Sequence, residues 1–126
     1  MMVAAPGVQQ ARHVAITAAG AGHVALAYLG ASTTDAGAGF SGYITESSNA
    51  LSRRPLFFSA AVNDPAEPLI AQPFITGPPL APFGNRLFLI ADAFAPDGSP
   101  WAGFHCAYES ACPGKRIGVA AHLVRR

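Results

Sequence analysis

Two apolar runs, Leu87–Ala95 and Trp101–Tyr108, are separated by Pro96-Asp97-Gly98-Ser99-Pro100, and this stretch constrains the chain more than any other. Asp-Gly is a strong hairpin signal, because the central residues of a tight turn need positive φ and these two tolerate it. A proline on each side excludes a continuing helix and ends the ladder at the corner. The stretch is therefore read as an antiparallel hairpin.

Upstream the same texture recurs. His13–Ala18 and Val24–Leu29 are short β-branched or apolar runs joined by the turn Ala19-Gly20-Ala21-Gly22-His23. After Gly37-Ala38-Gly39 comes Phe40–Ser47, in which Phe40, Gly42, Ile44 and Glu46 share one face. Leu56–Val62 completes a set of four strands at regular spacing, an all-β pattern. Met1–Ala11 reads as a polar lead-in. The region between Asn63 and Asn85 carries Pro65, Pro68, Pro73, Pro78, Pro79 and Pro82, too many for a helix or a central strand. It is expected to run as an extended connector with at most an edge strand at Leu69–Phe74. Arg116–Val124 is the last strand.

The two strand groups superpose under a shift of 76 residues, which carries Gly22 onto Gly98 and Gly42 onto Gly118. The same shift places Ala15 on Ala91 and Tyr28 on Phe104. Repeated antiparallel sheet units of this length suggest propeller blades. The expected organisation is a partial β-propeller of two consecutive blades: a four-stranded unit over 12–63, a Pro-rich connector over 64–85 and a three-stranded unit over 86–126. A self-contained β-sandwich or barrel is the alternative.

Composition narrows the partners. Hydrophobic residues make up 51% of the chain and charged residues 12%, so the surface leans on burial or on a neighbour. Two units leave outer faces uncovered, so self-association or docking to further blades is expected. A net charge of +1 offers nothing to nucleic acid or an anionic membrane. The uncharged stretch Val14–Thr34 is long enough to span a bilayer, but its Ala, Gly and Thr content and His23 argue against insertion. No basic signal-peptide start is visible in Met1–Ala5.

Cys106 and Cys112 leave three readings open: a small disulfide, two free thiols, or part of a zinc site with His105. The other histidines form no recognisable ligand set, and no metal is expected. Gly20-Ala21-Gly22 and Gly37/Gly39/Gly42 resemble dinucleotide loops, yet strand formers or further breakers follow them. A pyrophosphate needs a helix N-terminus there, so no cofactor is expected.

The segments HVAITAAGAGHVALAYLG, GYITESSNAL and NRLFLIADAFAPDGSPWAGFHC, with a following Cys, resemble the C-terminal part of bacterial sialidase-like propellers with BNR-type repeats. The resemblance covers Arg12–Arg126 and rests on strand texture. The Asp box S-x-D-x-G-x-x-W of such proteins is absent, since Asp97-Gly98 lacks the intervening residue and Ala95 replaces the Ser. The resemblance implies an extracellular protein, a glycan ligand, a Tyr nucleophile with its Glu, an Asp acid/base and an arginine clamp on the sugar carboxylate. Of these parts Arg86 and Asp92 are the candidates, and Trp101 is the candidate sugar platform, with core packing as its plainer role. Tyr43 and Glu46 have tempting identities but read as a half-buried aromatic and a solvated carboxylate. A complete propeller needs about four to eight blades, so catalysis by two alone is not expected. The competing reading is a non-catalytic scaffold for protein contact.

Overall fold

The structure is a computed structural model and describes residues 3–35, 38–70, 90–106 and 117–125. It contains β1 (Gln10–Gly20), β2 (His23–Ala31), β3 (Ser41–Ser47), β4 (Phe58–Ala61), β5 (Ala91–Phe94), β6 (Pro100–Cys106) and β7 (Ile117–His122). Among the described residues there is no helix, and so none long and apolar enough to cross a membrane. The strands form two antiparallel sheets, β1-β2-β3-β4 and β5-β6-β7, which do not close into a barrel.

The hairpin at Asp97-Gly98 forms, but by another turn. Only Gly98 has positive φ, at 85°. The Gly98 amide donates to the Ala95 carbonyl at 2.9 Å, and the Ala95 amide donates to Ser99 at 2.9 Å. This is a three-residue loop in which Pro96 presets the first turn position and Gly98 supplies the left-handed one. Pro96 rules out the two-residue geometry, because it would there flank the turn and have to donate an amide to close it, and it has none; the Ala95 amide closes the longer loop instead. Pro100 starts β6 instead of stopping the ladder, a place where a missing amide costs little.

Other bounds shift for similar local reasons. β1 begins at Gln10, inside the expected lead-in, and carries a bulge between Arg12 and Ala15, where His13 adopts φ 52°. The lead-in itself packs: the Ala5 amide, in a residue only 6% exposed, donates to the Tyr28 hydroxyl at 2.7 Å. β4 is shorter than expected. Of the connector, Ile70 makes a single bridge to Phe40, and 71–89 lie outside the described residues.

The second sheet lies on the first. Their shared core gathers Ala27, Leu29, Phe40, Ile44, Leu69 and Ile70 with Ala102 and Phe104, and Ile90, Val119 and Ala121 pack against it. Strand alternation assigns the faces. The inner face of the first sheet carries Ala15, Ala25, Ala27, Leu29, Gly42, Ile44 and Glu46, and its outer face carries Val14, Ile16, Leu26, Tyr28 and Tyr43. The inner face of the second sheet carries Asp92, Phe94, Ala102, Phe104 and Val119. Its outer face carries Ala91, Ala93, Trp101, Gly103, Gly118, Ala120 and His122.

The 76-residue shift maps β1, β2 and β3 onto β5, β6 and β7 in order. It also maps faces unevenly. Gly42 looks inward, since a Cβ there would lie 3.1 Å from Phe104, whereas its counterpart Gly118 lies on the outer face with nothing within 4 Å among the described residues. Tyr28 lies on the face turned away from the second sheet, buried under the Ala5 segment, whereas its counterpart Phe104 fills the core between the sheets. The units are therefore stacked head to tail, the lower face of one on the upper face of the other. In a sandwich closed by a two-fold, equivalent residues would both face inward.

Candidate functional site

The turn end of the strands holds an open cleft of about 370 Å³, lined by Glu46, Asp97, Ser99, Trp101, His122 and Arg125 among others. Each side chain is placed by local chain geometry. Asp97 folds back over the hairpin, its Oδ1 accepting from the Ser99 amide at 2.9 Å and from the Ser99 hydroxyl at 2.6 Å. The Trp101 indole N–H donates to the Ser99 oxygen at 3.1 Å. These bonds, the Ser99 hydroxyl above all, hold the Asp97 carboxyl below its ordinary value. Trp101 stacks on His122, its register partner across β6 and β7, with ring centroids 4.4 Å apart, and 41% of it stays exposed.

The floor of the cleft is an ion-pair cluster. Glu46, 5% exposed, receives the Arg125 Nε–H on Oε2 at 2.9 Å. His23 Nε2 lies 2.7 Å from Oε1, and because a carboxylate only accepts, the imidazole donates. The Arg125 guanidinium also lies 4.5 Å over the Phe58 ring, and His23 meets Phe94 at 4.4 Å. Glu46 is thus not the solvated carboxylate expected: it is buried, and His23 on β2 and Arg125 in the segment after β7 supply its partners. His23 and Arg125 carry no signal in the sequence, because their roles depend on a residue 79 positions from Arg125. Tyr43 is half-buried as expected, stacked on Tyr28 at 5.5 Å; burial, and next Tyr28, push its hydroxyl pKa up.

The residues expected to act together are separated. Asp92 lies on the inner face of β5, and Trp101 on the outer face of β6, so the sheet stands between them. The Asp92 Oδ2 is shut off from solvent with no hydrogen-bond partner among the described residues, and burial pushes its pKa up. Arg86 and Cys112 lie outside the described residues, and Cys106 ends β6 opposite Ile117. Among the described residues no three His, Cys, Asp or Glu side chains gather as a metal ion would require. Of the sequence candidates the cleft holds Trp101, with Asp97, Ser99 and His122 as neighbours that sequence reasoning did not single out. The Asp97-Gly98-Ser99 turn beside the only tryptophan was the signal available for them.

Comparison with known protein families, with curated proteins and with solved structures finds no match. The class the fold defines is therefore an all-β protein of two antiparallel sheets.

Proposed function

We propose that this chain is a two-blade segment of a sialidase-like β-propeller that binds glycan at its turn-end cleft and does not catalyse on its own. The head-to-tail stacking of two units related by the 76-residue shift is the observation that carries this reading. Propeller blades stack in that sense, each burying its lower face on the upper face of the one before. The cleft suits a sugar in kind: an exposed indole offers an apolar plate for C–H groups, and Asp97 beside it accepts hydroxyl protons. Asp92 on the far side of the sheet supplies no acid at that plate.

Because Trp101 is the only tryptophan, its fluorescence reports the cleft alone. Titration of the purified chain with sialylated and neutral oligosaccharides is expected to quench it saturably, and Trp101→Ala to abolish binding by calorimetry. A fluorogenic sialoside is expected to give no turnover. Turnover lost in Asp92→Ala would overturn the non-catalytic half. An unresponsive Trp101 across both sugar classes would remove the glycan half and leave the scaffold reading, which the exposed apolar face of β1 favours.

A further inference from the structure

Each face of the two-unit stack has a counterpart elsewhere in the molecule, and among the described residues two of the four faces carry exposed side chains. The upper face of the first unit, Ala15, Ala25, Ala27, Gly42 and Ile44, is covered by the lower face of the second. On its counterpart on the second unit, Ala91, Trp101, Gly118 and Ala120 are exposed and Gly103 is half-buried. Gly103 and Gly118 have nothing within 4 Å of a built Cβ among the described residues, so another backbone can approach closely there. At the other end, the lower face of the first unit exposes Val14 by 58% and Ile16 by 67%, next to half-buried Leu26. The segment Val3–Val8 packs over Tyr28, and Val3 and Ala4 border Val14 and Leu26 around a small apolar cavity, so the exposed part of this face centres on Ile16 and the outer side of Val14. The residues of these two open areas include no Asp, Glu, Lys or Arg, so no like charges oppose contact and no buried charge would result.

We propose that the open β1–β2 face of one chain stacks head to tail on the open β5–β6–β7 face of a second copy of this chain, repeating between molecules the interface seen within one. This rests on the stacked-unit reading proposed for the function. The internal interface identifies the occupant, because it pairs the counterparts of these same two faces. Counterparts of Val14 and Ile16 are Ile90 and Asp92, which already sit over the first unit. A heterologous contact of this kind closes into a ring or continues as a filament, according to the rotation per step. Trp101 stands on this same outer face, so a stacked second copy and a sugar at the turn-end cleft compete for its indole.

The test is sedimentation velocity of the full chain across the micromolar range with two variants, Ile16→Glu on one face and Ala120→Arg on the other. Both positions are exposed, and circular dichroism melts check their folding. Wild type is expected to form species larger than a dimer, and each variant alone to sediment as a monomer. Mixed together, the variants are expected to form a one-to-one dimer and nothing larger, since one intact face of each kind remains. Should either variant not fold, a benzophenone side chain at Ile16 of wild type replaces it, with cross-links expected to β5–β7 of a second molecule. Cross-links from Ile16 to Ile16 or to β1–β2 of the second molecule would overturn head-to-tail stacking and spare the stacked-unit reading. A sharply melting wild-type monomer would overturn both.

Discussion

Glycine at positions 42 and 118 occupies the same place in two units and faces opposite demands. A Cβ on Gly42 would come within 2.5 Å of the Val62 Cγ2 and 3.1 Å of both Leu69 and Phe104. Val62 is stiff at χ1 and cannot swing aside, so Gly42→Ala is expected to cost about 1–3 kcal/mol, the usual toll of overpacking. Gly118→Ala meets open space in a strand and is expected to be neutral or to stabilise by about 0.5 kcal/mol. Urea unfolding of the two variants checks the contrast; equal effects would mean that the two glycines share one environment. Asp92 gives a pH signature. Its carboxyl is raised above the ordinary 3.8 by burial, so the folded state binds that proton more tightly than the unfolded one. Stability from this group is therefore lost as pH rises from the ordinary value through the raised one. Asp92→Asn is expected to stabilise at pH 7 by up to about 1 kcal/mol, with the gain fading below pH 3.8. A gain independent of pH in paired thermal melts would point to packing instead of charge.

Among the elements, β3 is the most enclosed, buried on both faces except at Tyr43. Its last turn-end side chain on the inner face, Glu46, ties together β2 through His23 and the segment after β7 through Arg125. Glu46→Gln keeps the shape but removes the charge, leaving one amide oxygen to accept where two carboxylate oxygens did. A loss of about 1–3 kcal/mol is expected, in the range for buried hydrogen bonds to charged groups. Buried pairs are screened little, so the difference should survive added salt in a denaturant titration. The same element marks what sequence could and could not tell. Alternation is enough to put Gly42, Ile44 and Glu46 on one face, because side-chain direction in a strand follows from its two-residue period. Alternation is silent on what lies above that face, and so Glu46 reads as solvated from sequence although Arg125, from the far end of the chain, and His23 close over it.

At the scale of the molecule, the core cluster of the described residues is built from both sheets together. A chain ending after Ile70 would strip cover from Leu29, Gly42 and Ile44 on the inner face. It is expected to lose its cooperative melt and to bind a hydrophobic dye, as partly packed states do; a sharp transition in that truncated chain would show that the first sheet is self-sufficient. The elements and their repetition are written in the order of residues. Proline excludes helix, Gly-centred turns space the strands, and the 76-residue shift that superposes Gly22 on Gly98 carries β1–β3 onto β5–β7. These follow from backbone sterics and side-chain period, which act within a few residues. Which face of each unit is buried is settled only by packing between units. Tyr28 and Phe104 hold equivalent places, yet one is buried beneath the Ala5 segment and the other between the two sheets, and Asp92 and Trp101 stand on opposite sides of one sheet. The two-residue period reads alike in both units; only packing between distant segments decides what covers each face and which apolar side chains lose their water.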